Sequence, residues 1–263
     1  MVTVRIFGGL GNQMFQYAMG RSLALKFGVP LMLDTSFFKG CKERKFMLDK
    51  FKISKEIVVS DKSGILNSKI VRKIMSTIRF PEWYYRNYSN SFDDRFRDLP
   101  KNVYLDGYFQ SEKYFTDIEV VLRKEFELFF EVSEDFKMWK EKIRNSNSVS
   151  MHVRRGDYLL KKNIEIHGVL GIDYYEKAVS KIGNEIETPE FFIFSDDKNW
   201  CRENIIPITK NGNIIEIRSE NTDVEELLLM SFCKHNIIAN SSYSWWGAWL
   251  NRNEKKIVFM PKS

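Results

Sequence analysis

Ser150-Met151-His152-Val153-Arg154-Arg155-Gly156-Asp157-Tyr158 is the stretch that decides how the rest of the chain is read. Val149, Met151 and Val153 alternate on one face, the period of a strand, and this strand runs out into two adjacent guanidinium groups before a Gly and an Asp turn the chain. Planar, permanently charged arginine suits paired hydrogen bonds to phosphate oxygens, and in open α/β sheets ligands bind outside the carboxyl ends of the strands. The stretch therefore predicts a cationic cradle at a strand end. An Arg–Asp salt-bridge cluster at a turn is the plainer alternative.

Downstream the chain repeats one rhythm. A helix over 174–182 follows Asp173, and a strand over 191–194 ends in Ser195-Asp196-Asp197. Then come a helix over 199–204, a strand over 214–217, a helix opened by a capping box of Thr222 and Glu225, and a strand over 236–239. Ser241-Ser242-Tyr243-Ser244 begins the next helix, and 257–260 is a last strand. Strict alternation of strand and helix predicts a parallel, doubly wound sheet. One edge of that sheet would collect Arg154 and Arg155, Asp196 and Asp197, and Ser241 and Ser242. Hydroxyls and unbonded backbone N–H groups at a helix start attract anions, so Ser241, Ser242 and Ser244 offer a second phosphate clamp, or are only N-caps. Asp196 and Asp197 have no third ligand at metal-binding spacing; ribose or base contacts, or helix capping, fit them better. His152, two residues before Arg154 on the same face, reads as a base-contacting or a structural residue.

Upstream, a strand over 2–7 enters Gly8-Gly9-Leu10-Gly11-Asn12-Gln13, and apolar residues then recur with helical spacing up to Gly28. The dinucleotide fingerprint is broken, because Met14 stands where the third glycine should be. What remains is a backbone that a ligand can approach closely and, in Asn12 and Gln13, amide donors at a helix N-terminus; an ordinary N-cap is the alternative. A strand over 29–34 completes a βαβ start, a strand returns over 103–109, and Ser111 is expected to cap a helix to about Phe126. Between them lie a basic amphipathic stretch, 67–79, and the aromatic group Trp83, Tyr84, Tyr85 and Tyr88. The first reads as a surface helix or a membrane-lying one, the second as core or as a platform for an acceptor sugar. A polar segment, 140–148, separates two domains, 1–147 and 148–263.

Composition agrees with two globular α/β units: 263 residues, 43% hydrophobic, 29% charged, 14% aromatic. A net charge of +6 suits an anionic ligand or surface, and the absence of any zinc-finger, basic-zipper or RNA-binding signature argues against nucleic acid as the partner. Three cysteines without a Cys-x-x-Cys pair argue against a disulfide framework and a zinc site, and suit a reducing cytoplasm. No Gly-x-Ser-x-Gly elbow is present. The N-terminus reads as a strand rather than a signal peptide, and no apolar run approaches a membrane span.

Four motifs in order, 8–18 (GGLGNQMFQYA), 152–158 (HVRRGDY), 194–200 (FSDDKNW) and 240–250 (NSSYSWWGAWL), cover nearly the whole chain and resemble those of the α-1,2-fucosyltransferase family, glycosyltransferase family 11. The resemblance implies a GT-B architecture: an N-terminal acceptor-side domain, a C-terminal GDP-fucose-binding domain and a cleft between them. It implies GDP-β-L-fucose as donor, inversion at the anomeric carbon, no metal ion or other cofactor, and transfer to the 2-hydroxyl of a galactose-terminated oligosaccharide or lipid-linked glycan. Arg154 then matches the essential diphosphate-holding arginine and Arg155 its supporting neighbour, His152 the nucleotide-contacting histidine, and Ser241 and Ser242 the hydroxyl-bearing turn on the phosphates. Asn12 resembles the asparagine that faces the reacting phosphate and sugar, with Gly11 and Gln13 beside it on the cleft. Glu226 stands where family members often have Asp. The chain stops just after Pro261, short of the family's usual tail, which suggests a C-terminal truncation.

Bond breaking leaves negative charge on GDP and positive character on fucose, so paired cations and helix N–H groups around the phosphate lower the barrier. Asp157, Glu165 and Glu112 are the candidate bases for the acceptor hydroxyl, and a loose, base-poor displacement is the alternative. A transferase of another linkage, a GDP-mannose-using transferase and a non-enzymatic nucleotide binder are the competing readings. The expected location is cytoplasmic, with peripheral contact at the inner face of the membrane as an option.

Overall fold

The computed structural model describes residues 1–54, 57–61, 82–89, 91–156 and 168–262. Asp157, Glu165 and the basic stretch 67–79 lie outside the described residues. The chain divides into two compact units, Met1–Phe130 and Glu131–Ser263.

The first unit carries a five-stranded sheet of β1 (Val2–Arg5), β2 (Leu31–Asp34), β3 (Val58–Ser60), β4 (Tyr84–Asn87) and β5 (Val103–Gly107), in the order β3-β2-β1-β5-β4. Every pairing is parallel. A parallel sheet is covered on both faces, so its central strand is buried throughout: all four residues of β1 are buried. Helix α1 (Leu10–Phe27) follows β1 and buries Met14, Phe15, Tyr17, Ala18 and Leu23. It ends where the sequence predicts, at Gly28, whose φ of 61° lets its N–H reach back to Ala24 and Leu25 carbonyls. The helix expected from Ser111 to Phe126 is instead two 3-10 turns, Glu112–Tyr114 and Thr116–Ile118, leading into a short helix α2 (Glu119–Glu125), and Ser111 makes no side-chain cap.

The second unit repeats the plan with β6 (Ser148–Val153), β7 (Glu190–Ser195), β8 (Gly212–Ile214), β9 (His235–Ile237) and β10 (Val258–Phe259), in the order β10-β9-β6-β7-β8 and again all parallel. Among the described residues its helices are α3 (Glu134–Arg144), α4 (Ile172–Glu185), α5 (Lys198–Trp200), α6 (Ile206–Thr209), α7 (Thr222–Phe232) and α8 (Ser242–Leu250), with a π turn, Cys201–Ile205, joining α5 to α6. Val149, Met151 and Val153 of β6 enter a core with Phe191, Ile193, Ile237, Tyr175 and Ile182.

The boundary expected at 147/148 moves forward to 130/131, because 134–144 is a helix of the second unit rather than a linker. Ser133 caps it by accepting from Phe136 N at 3.1 Å. Glu225, read from sequence as the closing residue of a capping box on α7, reaches α3 instead: its carboxylate accepts from Ser133 N at 2.9 Å and from Ser133 Oγ at 2.6 Å. Phe136 and Trp139 of α3 add edge-on contacts to Phe232 and Phe192.

In both sheets the first strand of the unit is central, flanked on one side by the next strand in sequence and on the other by a late one. That arrangement is the topological switch point at which open α/β sheets open a crevice. The Gly8–Gly9 turn therefore leaves the switch point of the first sheet, and Arg154–Arg155 leaves that of the second. No helix among the described residues is long and apolar enough to cross a membrane.

Candidate active site

The predicted juxtaposition in the second unit is present. Arg154 and Arg155 leave β6, Asp196 and Asp197 leave its neighbour β7 (register Val153 to Ser195), and Ser241 and Ser242 follow β9 on the other side. Each arginine is met by one aspartate. Arg154 Nη1 lies 2.8 Å from Asp196 Oδ2, and Arg155 Nε lies 3.3 Å from Asp197 Oδ2. Asp196 also accepts from the Arg155 backbone N–H at 2.9 Å, so one carboxylate ties down both the first guanidinium and the backbone of the second arginine. The turn is tight at Gly156, where a Cβ would come within 2.6 Å of Asp196 Oδ2. The Arg155 guanidinium carbon lies over the Trp200 ring, 4.0 Å from its centroid, a cation–π contact that holds it against α5. Asp197 is also the N-cap of α5, accepting from Trp200 N at 3.1 Å. The plainer sequence reading, an Arg–Asp cluster, thus describes the contacts, and the capping alternative for Asp197 is realised.

The serines divide. Ser241 caps α8, accepting from Tyr243 N at 3.3 Å, and Ser242 is the first residue of that helix, where backbone N–H groups point outward. Ser244 does not belong with them. It is fully buried and its hydroxyl is bonded to Ala239 N at 3.2 Å and to the Ala239 and Ser241 carbonyls, so it closes the β9–α8 turn from inside and is withdrawn from the predicted clamp.

His152 is buried, with its Nδ1 without a hydrogen-bond partner among the described residues and its ring 5.4 Å from that of Tyr243. Burial, reinforced by the Arg154 charge, pushes its pKa down to about 3, so it is a neutral imidazole. Glu226, on the first turns of α7, sits 3.9 Å from Lys198 Nζ. Burial drives its carboxyl up to about 7; Lys198 opposes that shift and Asp223 adds to it. The Tyr243 hydroxyl donates to Asp223 O at 2.5 Å, linking the start of α8 to the start of α7.

In the first unit the Gly8–Gly9 turn is lined by carboxamides. Gln13 is fully buried and holds loop backbone: its Nε2 donates to Gly8 O at 3.1 Å and Lys45 O at 2.8 Å, and its Oε1 accepts from Met47 N at 2.9 Å. It is a scaffold rather than the cleft donor expected, and Gly11 is buried with it. Asn12 is only partly buried, and its Oδ1 accepts from Gln110 Nε2 at 2.8 Å. Glu112 is exposed on its 3-10 turn. Of the aromatic group, Tyr84 and Tyr85 are core, while Trp83 and Tyr88 are 44% and 36% exposed. Sequence reasoning passed over Gln110, Lys198 and Trp200 as individual residues; the rule that ligands gather past the carboxyl ends of strands marks the first of these, three residues beyond β5.

Two Rossmann-like sheets, each with a polar motif leaving its central strand, define a glycosyltransferase fold of the GT-B type. Solved structures share it: a mutant of Arabidopsis thaliana FUT1 in complex with GDP superposes with a TM-score of 0.54 at 12% identity over 100% of this chain and 70% of that one. NodZ α-1,6-fucosyltransferase soaked with GDP-fucose gives 0.51 at 13% over 95% and 91%. The chain belongs to glycosyl transferase family 11, whose family model matches residues 1–262. Among its relatives are an Escherichia coli alpha-1,2-colitosyltransferase, 35% identical over 99% of this chain and 91% of that protein, and the Escherichia coli O-antigen biosynthesis glycosyltransferase WbnK, 33% identical over 97% and 92%. Rattus norvegicus galactoside alpha-(1,2)-fucosyltransferase 2 is 27% identical over 95% of this chain and 67% of that protein.

Proposed function

We propose that this chain moves L-fucose from GDP-β-L-fucose to the 2-hydroxyl of a β-galactoside, with inversion at the anomeric carbon and without a metal ion. The observation that carries the reading is the pair of arginines at the switch point of the second sheet, beside the Ser241–Ser242 helix start. The bond from the anomeric carbon to the β-phosphate oxygen breaks, the bond from that carbon to the acceptor oxygen forms, and the acceptor proton leaves to a base. Negative charge therefore grows on the diphosphate. Arg154, with Arg155 behind it and the N–H groups of α8, supplies fixed positive charge and donors where that charge develops. His152, neutral, and Glu226 serve the nucleotide, an ionised Glu226 accepting from the N–H groups of guanine. Asn12 is a neutral donor to the reacting group. Asp157 is the base we favour, with Glu165 and Glu112 as its rivals.

The acceptor class is a galactose-terminated oligosaccharide or lipid-linked glycan, reached from the cytoplasm with peripheral contact at the membrane. A second reading, a colitosyl donor, is favoured by the 35% identical colitosyltransferase, since a phosphate clamp does not read the sugar. The test is incubation with GDP-fucose and a β-galactoside in EDTA, following GDP release and determining the linkage by NMR. Absence of transfer, a metal requirement or a linkage other than α-1,2 overturns the reading, and a higher kcat/KM with GDP-colitose selects the second.

A further inference from the structure

Arg155 is held at three points, all of them in one short stretch of chain after β7. Its backbone N–H donates to Asp196 Oδ1 at 2.9 Å, its Nε lies 3.3 Å from Asp197 Oδ2, and its guanidinium carbon stands 4.0 Å from the centre of the Trp200 ring. The holders are themselves held. Asp197 N donates to Ser195 Oγ at 2.9 Å, and Asp197 Oδ1 accepts from Trp200 N at 3.1 Å. The Trp200 carbonyl accepts from Asn204 Nδ2 at 2.9 Å, and its ring packs on the β6–β7 core, edge-on to Tyr175 with centroids 6.4 Å apart. Asp197 and Trp200 stand three residues apart, about one helical turn, so a carboxylate and a ring from one element meet the same guanidinium. The two Asp197 oxygens serve different partners: one caps α5 and the other meets Arg155.

We infer that Trp200 and Asp197 are positioning residues for Arg155, setting the plane and direction of its guanidinium before a diphosphate arrives. A guanidinium offers its N–H groups only in its own plane, so a rotation of that plane carries them away from a fixed anion. A ring under one face sets the plane, and a carboxylate on Nε sets the direction within it. A long side chain ordered in advance also loses less rotamer freedom on binding. The inference rests on the reading of Arg155 under the proposed function, as support of the diphosphate clamp, and it turns Asp197 from a nucleotide contact into a residue that acts through the arginine.

The test is GDP binding, by calorimetry on the full chain, in Trp200→Leu, which stays apolar but has no π face, and in Trp200→Phe, which restores one. Trp200→Leu should weaken GDP binding by about 5- to 30-fold and Trp200→Phe by only about twofold. In an Arg155→Ala background Trp200→Leu should cost no further affinity, whereas damage to the fold would weaken binding in both backgrounds alike. Asp197→Asn is the second variant: a carboxamide has one acceptor oxygen and cannot serve both Trp200 N and Arg155 Nε, so affinity should fall here as well. The Arg155 Nε–H proton gives an NMR readout that needs no ligand, shielded by the ring in the wild type and moving downfield in Trp200→Leu but not in Trp200→Phe. Full affinity in Trp200→Leu, an equal loss in the Arg155→Ala background, or tighter binding in Asp197→Asn, the mark of a carboxylate that only neutralises Arg155, would each overturn the inference alone. Unchanged affinity in Arg155→Ala would instead overturn the diphosphate reading of Arg155, and the inference with it.

Discussion

The two sheets bring their first strands to the same topological place and then end them in opposite chemistry. After β1 the chain supplies carboxamides: Gln13 and Gln16 bond the loop backbone, Gln16 accepting from Phe7 N at 2.9 Å, and Asn12 is clasped by Gln110. After β6 it supplies guanidinium groups held by carboxylates. The first unit does place an arginine on its central strand, but Arg5 is buried, 3.1 Å from an Asp106 that also accepts from Tyr84 and Tyr88 hydroxyls. Its charge is neutralised beneath the sheet edge rather than presented there. Topology thus decides where a ligand meets each sheet, and the side chains decide whether it meets charge or dipoles.

The sharpest way to break this comparison is to remove one group from each side. Arg154→Ala should lower kcat/KM by about 10²–10³-fold and weaken GDP binding, with little change in melting midpoint. Asn12→Ala should lower kcat while GDP affinity, measured by calorimetry, stays at its wild-type value. Equal losses of GDP affinity in the two variants would erase the distinction. The glycines offer a smaller, structural version. Gly8→Ala forces a side chain into the left-handed region against Asn12 and should cost about 1–2 kcal/mol in denaturant unfolding. Gly156→Ala meets first the Asp196 carboxylate, which can move, so it should cost less stability and show itself as weaker GDP binding.

Protonation sharpens the second site further. With its carboxyl near 7, Glu226 is ionised only above that pH, so GDP affinity should rise as pH passes through 7 in the wild type and flatten in Glu226→Gln. His152 works on stability. The unfolded chain binds a proton there below about 6.5, whereas the folded chain does not until about 3. Stability is therefore present above 6.5 and falls as pH drops through that window, by at most about 1.4 kcal/mol per pH unit. The slope should shrink in His152→Gln, as read from unfolding curves between pH 4 and 6.5.

Legibility in the sequence followed the range of the interactions concerned. The alternation in β6, the glycines after β1 and the polar pairs after β7 and β9 are local signals, and the parallel sheet of the second unit, with those polar residues gathered past its strand ends, could be read from them. What escaped depends on distant partners. Residues 140–148 read as a polar linker, although the first five of them end α3, a helix tied into the second unit by the grip of Glu225, far along the chain, on Ser133. Ser244 and Gln13 look like donors for a ligand because nothing local reveals that their polar atoms are taken up by loop backbone. The run Trp83 to Tyr88 hid a strand, since only pairing with β5 shows that Tyr84 and Tyr85 are buried. Gln110 carries no motif of its own, and only the folded chain brings its carboxamide to Asn12.

The central position of β1 and β6 also sets the order in which the protein can be completed during synthesis. Val2 of β1 pairs with Val103 of β5, and Val149 of β6 with His235 of β9. At roughly 5–20 residues per second, the first strand of each unit waits several seconds or more for its second neighbour. Through that interval its outer edge exposes unpaired backbone beside apolar side chains, the arrangement that invites pairing with other chains. A ribosomal stall or truncation shortly before β5 or β9 should therefore yield aggregating fragments, whereas one after Phe130 should release a first unit whose sheet is already closed around its centre.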